Sequence, residues 1–192
     1  MPTIPHAFAA LLAQLLAMNP TIHLSTHGTE LTQLQCLTSA VYYEMRDRNE
    51  AVQIGVAYTV KNRVRQNKYP NDYCKVIVQP SQYRDNWRAQ RPNPNWRPAW
   101  TYAAKVALSV HYGLVDDPTQ GATHFCMSNE LNASSPRTRS AVSWCRTDGV
   151  WLQDVKFVNP SRDITLQPYV TAPPSRHPHM RKTIDQIAAA LS

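Results

Sequence analysis

Gln53-Ile-Gly-Val-Ala-Tyr-Thr-Val-Lys-Asn-Arg-Val64 is apolar around most of a helical circumference. A helix without a broad polar face belongs in the centre of a domain, so this stretch predicts a core helix running from about Glu50 to Arg65. Asp47 followed by Glu50 predicts its capping arrangement, with Asp in the place of the usual Ser or Thr. Immediately upstream, Thr32 to about Arg46 predicts a second helix with Leu34, Leu37, Val41 and Met45 on one face. Glu44 falls at the margin of that face, with Ala40 one turn and Leu37 two turns behind it. A carboxylate wedged between two buried helices is costly unless paired or protonated, and a protonated carboxyl on a cleft wall is what a general acid needs at neutral pH. The plainer reading is a solvated Glu near a helix end.

Further along, Tyr69-Pro70-Asn71-Asp72 reads as a turn and Cys74 to Val78 as a short buried segment. Pro98 suits the first turn of a helix whose buried face is Ala99, Tyr102, Ala103, Val106 and Val110, and which Gly113 ends. Ala122 to Met127 and Trp151 to Val158 read as short strands. Residues 7–18 place Phe8, Leu11, Leu12, Leu15 and Leu16 at helical spacing, which predicts a docking amphipathic helix. They lack the basic start and Ala-x-Ala exit of a signal peptide, so synthesis is expected in the cytoplasm. The tail from Asn159 is Pro-rich, then predicts a short helix around Ile184–Leu191. These readings divide the chain into an N-terminal helix and connection (1–30), a catalytic domain (31–158) and a tail (159–192). The fold class expected is α+β, mainly helical, with a small hairpin or sheet.

The 192 residues carry a formal charge of +7, which suits polyanionic partners: nucleic acid, an anionic membrane face or a bacterial envelope. No stretch is long enough to span a bilayer. The four cysteines form no C-x-x-C pair. Cys36 and Cys74 read as buried thiols, whereas Cys126 and Cys145 flank a polar stretch and are candidates for a bridge. With the histidines scattered, no metal and no cofactor are expected.

Tyr43-Glu44-x-Arg46 followed by Gln53-x-x-Val56-Ala57-x-x-Val60-x-Asn62-Arg63-Val64 resembles the SleB/CwlJ-like cell-wall hydrolase family of spore-cortex-lytic enzymes and many phage lysis proteins. Tyr69-Pro70-Asn71, Cys74-x-Val76-Ile77, Gln79-Pro80-x-Gln82-Tyr83 and Asp117-Pro118-Thr119-x-Gly121-Ala122-x-x-Phe125 continue the likeness. Asp47 stands where the family usually has Gly, Arg48 where it usually has a second Glu, and Val52 where it usually has Gly.

The resemblance implies a lysozyme-like domain that cleaves peptidoglycan between N-acetylmuramic acid and N-acetylglucosamine. It is similar to lytic transglycosylases, with Glu44 as the single catalytic acid; attack by water instead would make it a muramidase. It also implies a role in phage lysis or cell-wall penetration.

Tyr43, Gln53, Gln82, Tyr83 and His124 are the candidate substrate-binding residues. Each has a plainer alternative: a core aromatic for Tyr43, a buried amide for Gln53 as for Asn62, a docked surface loop for Gln82 and Tyr83, a structural donor for His124. Trp87, Trp96 and Trp100 interleave with arginines, as a sugar-stacking lip or a nucleic-acid strip would, but no nucleic-acid signature accompanies them, and nucleic acid is not expected as a partner. Two other functions are distinguishable: a thiol hydrolase using Cys126 with His124 or His111, and a lapsed wall-binding or virion-structural protein. On either the active or the lapsed reading, the N-terminal helix and tail would dock to other virion proteins.

Overall fold

The computed structural model describes residues 28–79, 97–131 and 143–160. Over these the chain is mainly helical with one small antiparallel sheet, as its apolar patterning predicts. The helices are α1 (Gly28–Met45), α2 (Glu50–Val64), α3 (Tyr73–Ile77), α4 (Arg97–His111) and the short α5 (Ser128–Leu131). The strands are β1 (His124–Met127), β2 (Gly149–Leu152) and β3 (Val155–Val158), with a 3-10 turn at Ser143–Arg146 before β2. The N-terminal 7–18 helix, the tail helix, Gln82, Tyr83, Trp87 and Trp96 lie outside the described residues.

Helix α2 is central, as its composition requires. Every residue from Val52 to Val60 is buried, and the polar side chains among its buried residues bond to nearby carbonyls. Thr59 Oγ1 donates to the Val56 carbonyl (2.7 Å), Asn62 Nδ2 to that of Ala122 (3.0 Å) and Arg63 Nε to that of Thr123 (2.6 Å). Lys61 Nζ donates to the Val110 and His111 carbonyls at the end of α4 (2.6 and 3.3 Å), where a cation complements the helix dipole. Burial draws this ammonium down to about 8. The N-cap of α2 is Asn49, whose side chain accepts from Val52 N at 3.0 Å, and not the expected Asp47. Asn49 has the extended backbone a cap needs, with the acceptor three residues from its donor; Asp47 is exposed in the preceding turn.

Helix α4 closes in a Schellman arrangement. Gly113 takes φ +67°, Leu114 N donates to the Ser109 carbonyl and Gly113 N to that of Val110. The expected buried segment at Cys74–Val78 is helix α3, capped by Asp72, which accepts from Lys75 N at 2.8 Å. Gln33 of α1 holds this corner from above, donating to Asp72 Oδ2 (2.7 Å) and accepting from Tyr73 N (2.6 Å). Cys36 and Cys74 are joined in a disulfide between α1 and α3 with Cα atoms 5.2 Å apart, which corrects the reading of both as buried thiols. A second disulfide, Cys126–Cys145, ties β1 to the 3-10 turn across a Cα separation of 6.3 Å. Both separations lie within the range a bridge spans.

The sheet order is β1-β3-β2, all antiparallel. The segment expected as one strand, Trp151–Val158, is instead parts of two strands turning at Gln153 and Asp154, with Gln153 at φ +58°. Alternation puts Val155 and Phe157 on the inner face, fully buried against Met45, Val52, Val56 and Ala122. Gly55 makes the close approach possible: a Cβ there would stand 2.6 Å from Phe157 Cζ. A larger core joins α1, α2, α3 and α4 around Leu37, Val41, Tyr42, Val60, Tyr73 and Val106, and Phe125 packs against both. Among the described residues, no helix is long and apolar enough to cross a membrane.

Candidate active site

Leu37, Ala40, Val41 and Glu44 share one stripe of α1 by their spacing of three, four and seven residues. Leu37 and Val41 are fully buried and Ala40 nearly so, while Glu44 is half-buried. The carboxylate therefore ends an apolar stripe at the point where the helix reaches the surface. Tyr43 beside it is buried, its ring edge-on to Tyr42 at 5.0 Å, and Tyr42 meets Trp100 of α4 at 5.2 Å. Burial holds both phenols above their ordinary range. Arg46 lies over the Tyr42 ring at 5.3 Å. One turn of chain thus carries an acid, two neutral phenols and a cation.

The loop after Glu44 is locked. Arg48 N donates to the Met45 carbonyl (3.0 Å), and the Arg48 guanidinium grips Asp154 Oδ1 and Oδ2 (3.1 and 2.9 Å). Gln53 Nε2 donates to the Arg48 carbonyl (2.9 Å), and Ser128 N to that of Asp154 (2.8 Å). These bonds join the end of α1, the start of α2, the end of β1 and the β2–β3 turn at a single loop. Sequence reading missed the Arg48–Asp154 pair, because the partners are 106 residues apart and no local pattern links them. Where the family resemblance would have a second Glu, the chain carries this clamp.

Of the other carboxylates, Asp47 is exposed in the turn that follows Glu44, Glu50 starts α2, and Asp117 is bonded to Asn62 near the far end of that helix. Glu50 accepts from the Tyr102 hydroxyl at 3.2 Å. Asp117 accepts from Thr119 N, Thr119 Oγ1, Gly121 N and Asn62 Nδ2, so the 117–121 loop is built around it. Asn62 accordingly serves this loop, spanning Asp117 and the Ala122 carbonyl.

Tyr43 adjoins Glu44 on α1, and Gln53 is bonded to the carbonyl of Arg48, four residues past Glu44. Gln53 is 3% exposed, and its Oε1 finds no partner among the described residues. His124 sits elsewhere. Its electrostatic neighbours are Arg63, near the C-terminal end of α2, and Lys68, just beyond it, and Arg63 is about 20 Å along that helix from Glu50 at 1.5 Å per residue. Its Nδ1 lies 2.9 Å from Thr123 Oγ1, its ring is tilted against Trp144 at 4.8 Å, and burial lowers it to about 4.

The thiol-hydrolase alternative loses its nucleophile, because Cys126 is bonded to Cys145. His111 is buried between Tyr73 (3.3 Å) and Glu30 (3.2 Å), with Tyr112 on the same carboxylate. Among the described residues, no cluster of His, Cys, Asp and Glu is placed to hold a metal.

Comparison with curated proteins and with solved structures gives no significant match. The family model described as Cell Wall Hydrolase matches residues 48–148, just over half the chain, and begins four residues after Glu44. The chain belongs to the cell wall hydrolase family, and the material it degrades is peptidoglycan.

Proposed function

We propose that Glu44 is the single catalytic acid of a glycan-cleaving enzyme, working as a lytic transglycosylase on the bond between N-acetylmuramic acid and N-acetylglucosamine. The observation that carries this is its placement: a half-buried carboxyl closing the apolar stripe of α1, next to a loop clamped on four sides. Glu44 would deliver its proton to the bridging oxygen as the C–O bond breaks, leaving a free N-acetylglucosamine end or its oligomer. The oxocarbenium-like centre on the muramic ring is stabilised by the substrate's own acetamido oxygen. Glu44, now a carboxylate, takes the proton from the muramic 6-hydroxyl, whose oxygen closes on the anomeric carbon as a 1,6-anhydro ring. Two-carboxylate glycosidases need a partner about 5–9.5 Å from the acid. Glu50 and Asp154 are engaged by Tyr102 and Arg48, and Asp117 sits with Asn62 near the far end of α2, which supports the one-acid route; Asp47, exposed in the turn after Glu44, is the carboxylate that this route leaves in solvent. The setting we assign, phage lysis or wall penetration, rests on the family likeness.

The test is Glu44→Gln, which keeps shape and removes the proton. Loss of general acid catalysis should lower clearing of purified sacculi by at least about a hundredfold. Equal clearing by the two proteins defeats the assignment. Mass spectrometry of the fragments then separates anhydro ends from the reducing ends that hydrolysis leaves.

A further inference from the structure

The sheet has a second face. Val155 and Phe157 point into the core, so Lys156 points away from it, and with it its cross-strand neighbours Trp151 and Cys126; Cys126 is 1% exposed, covered by the 3-10 turn to which it is bonded. Trp151 is 46% exposed, one of two large apolar side chains in that state among the described residues. It is held in place by Lys156, whose Nζ lies 5.8 Å from its ring and donates to the Cys145 carbonyl. His124, two residues from Cys126, lies on the same outward face with Trp144 packed on its ring. The Cys126–Cys145 disulfide pins the turn that carries Trp144. Two strand spacings and two residues separate Trp151 from His124, about 12 Å.

We propose that this outward face is a binding track for the peptidoglycan glycan strand, distinct from the Glu44 site and feeding it; the feeding role rests on the function proposed above. An exposed indole offers an apolar face to the C–H side of a sugar ring and needs no deep pocket. Trp151 on one side of the Cys145 turn and Trp144, half-buried on the His124 ring on the other, are aromatic stations spaced for a polymer rather than for one ring, the His124 position lying about 12 Å from Trp151. Lys156 on this face and Arg146, exposed in the 3-10 turn beside it, complement the carboxylates that muramic acid and its peptides carry; of the neighbouring carboxylates Asp154 is already neutralised by Arg48, and Asp148 is exposed. The direction is set by the hairpin. Trp151 is followed by Leu152 at the turn, and Asp154 of that turn is the one gripped by Arg48, four residues from Glu44. A strand lying over Trp151 is led toward the loop that holds the acid.

The experiment is co-sedimentation with purified sacculi, using the full chain carrying Glu44→Gln so that the polymer stays intact. Clearing by that variant would speak against Glu44 as the acid; pelleting speaks to the track, so the two readings fail separately. Trp151→Ala in this background should weaken binding about tenfold. Trp151→Phe should recover most of it, and the melting temperature should hold because the indole is exposed. Arg146→Glu should weaken pelleting at low salt and less at high salt. Unchanged pelleting in both Trp151→Ala and Arg146→Glu overturns the proposal. So does sedimentation showing a dimer that Trp151→Ala dissociates, since the face would then be covered by a second copy.

Discussion

Replacing Asp117 with Asn tests whether this carboxylate builds a loop or takes part in chemistry. Its Oδ1 accepts from Thr119 N (2.8 Å) and Thr119 Oγ1 (2.6 Å), and its Oδ2 from Asn62 Nδ2 (2.9 Å) and Gly121 N (3.0 Å). An amide has one acceptor oxygen and must turn its NH2 toward one of these pairs. Facing Asn62 and Gly121 it would meet two N–H donors. Facing Thr119 it meets one, because the hydroxyl can rotate to accept. The second orientation is the better, and it still strands the backbone N–H of Thr119, a residue 3% exposed. An orphaned buried donor costs about 1–3 kcal/mol. The remaining two bonds change from charged to neutral acceptors and lose roughly half their strength. The sum is about 3 kcal/mol, a fall of roughly 6–12 °C in melting temperature for a chain of this size. Differential scanning calorimetry measures it, with sacculus clearing assayed well below the melting point. Asp117→Asn should be less stable and, once folded, still active. A variant that melts within about 2 °C of the parent but has lost activity refutes the reasoning, and would move Asp117 from scaffold to chemistry.

The disulfides and His124 give two further tests. The sequence separations of 38 and 19 correspond to loop-closure contributions of about 4 and 3 kcal/mol. Cys126→Ser with Cys145→Ser should therefore lower the melting temperature by roughly 6–12 °C, and a reductant should act on the parent protein more than on the double variant; coincident melts with and without reductant would refute this. His124 is held at about 4 by burial, with Arg63 and Lys68 adding repulsion. The unfolded chain binds that proton from about pH 6.5 downward, so the contribution is full above that pH and is lost as pH falls toward 4. Partial exposure of the ring limits it to about 1–2 kcal/mol. His124→Asn should flatten the stability profile across that window in pH-dependent urea titrations, and parallel profiles would refute the burial argument.

What could be read in the sequence follows the range of the physics. The core helix, the apolar stripe that Glu44 ends, the Pro98 start and the Gly113 stop are each set by residues within a turn or two, and each appears in the structure. The misreadings arose where distant partners decide. Cys36 and Cys74 looked like buried thiols because both sit among apolar residues, and their pairing depends on how α3 folds back onto α1. Trp151–Val158 looked like one strand because its apolar residues run nearly through Asp154, yet the turn is fixed by Arg48 from across the domain. The cap of α2 is a local exception: a capping box points to Asp47, but Asn49, two residues on, supplies the acceptor. For the candidate site, Tyr43 adjoins Glu44 in the last turn of α1, and Gln53 is bonded to the Arg48 carbonyl in the loop that follows. His124 shares their family likeness, but it is carried to the other end of α2 by strand β1, a separation that local spacing does not encode.

The matched stretch, residues 48–148, is not a self-sufficient unit in this fold. Its core helix rests on Phe157, a residue of β3, and β3 is the middle strand of the sheet. Arg48, at the first matched position, is held by Asp154, beyond the last one. Helix α1 lies before the match and supplies Leu37, Val41, Tyr42 and Met45 to the two cores. The matched residues therefore need both flanks to bury their apolar surface, and the two flanks meet at the Arg48 loop. Glu44 stands on one flank and the hairpin turn on the other. The turn that follows Glu44 is fixed through Arg48 by contacts from α2 and the β2–β3 turn, which is the rigidity that proton delivery to one bridging oxygen would require of Glu44 on the function proposed above.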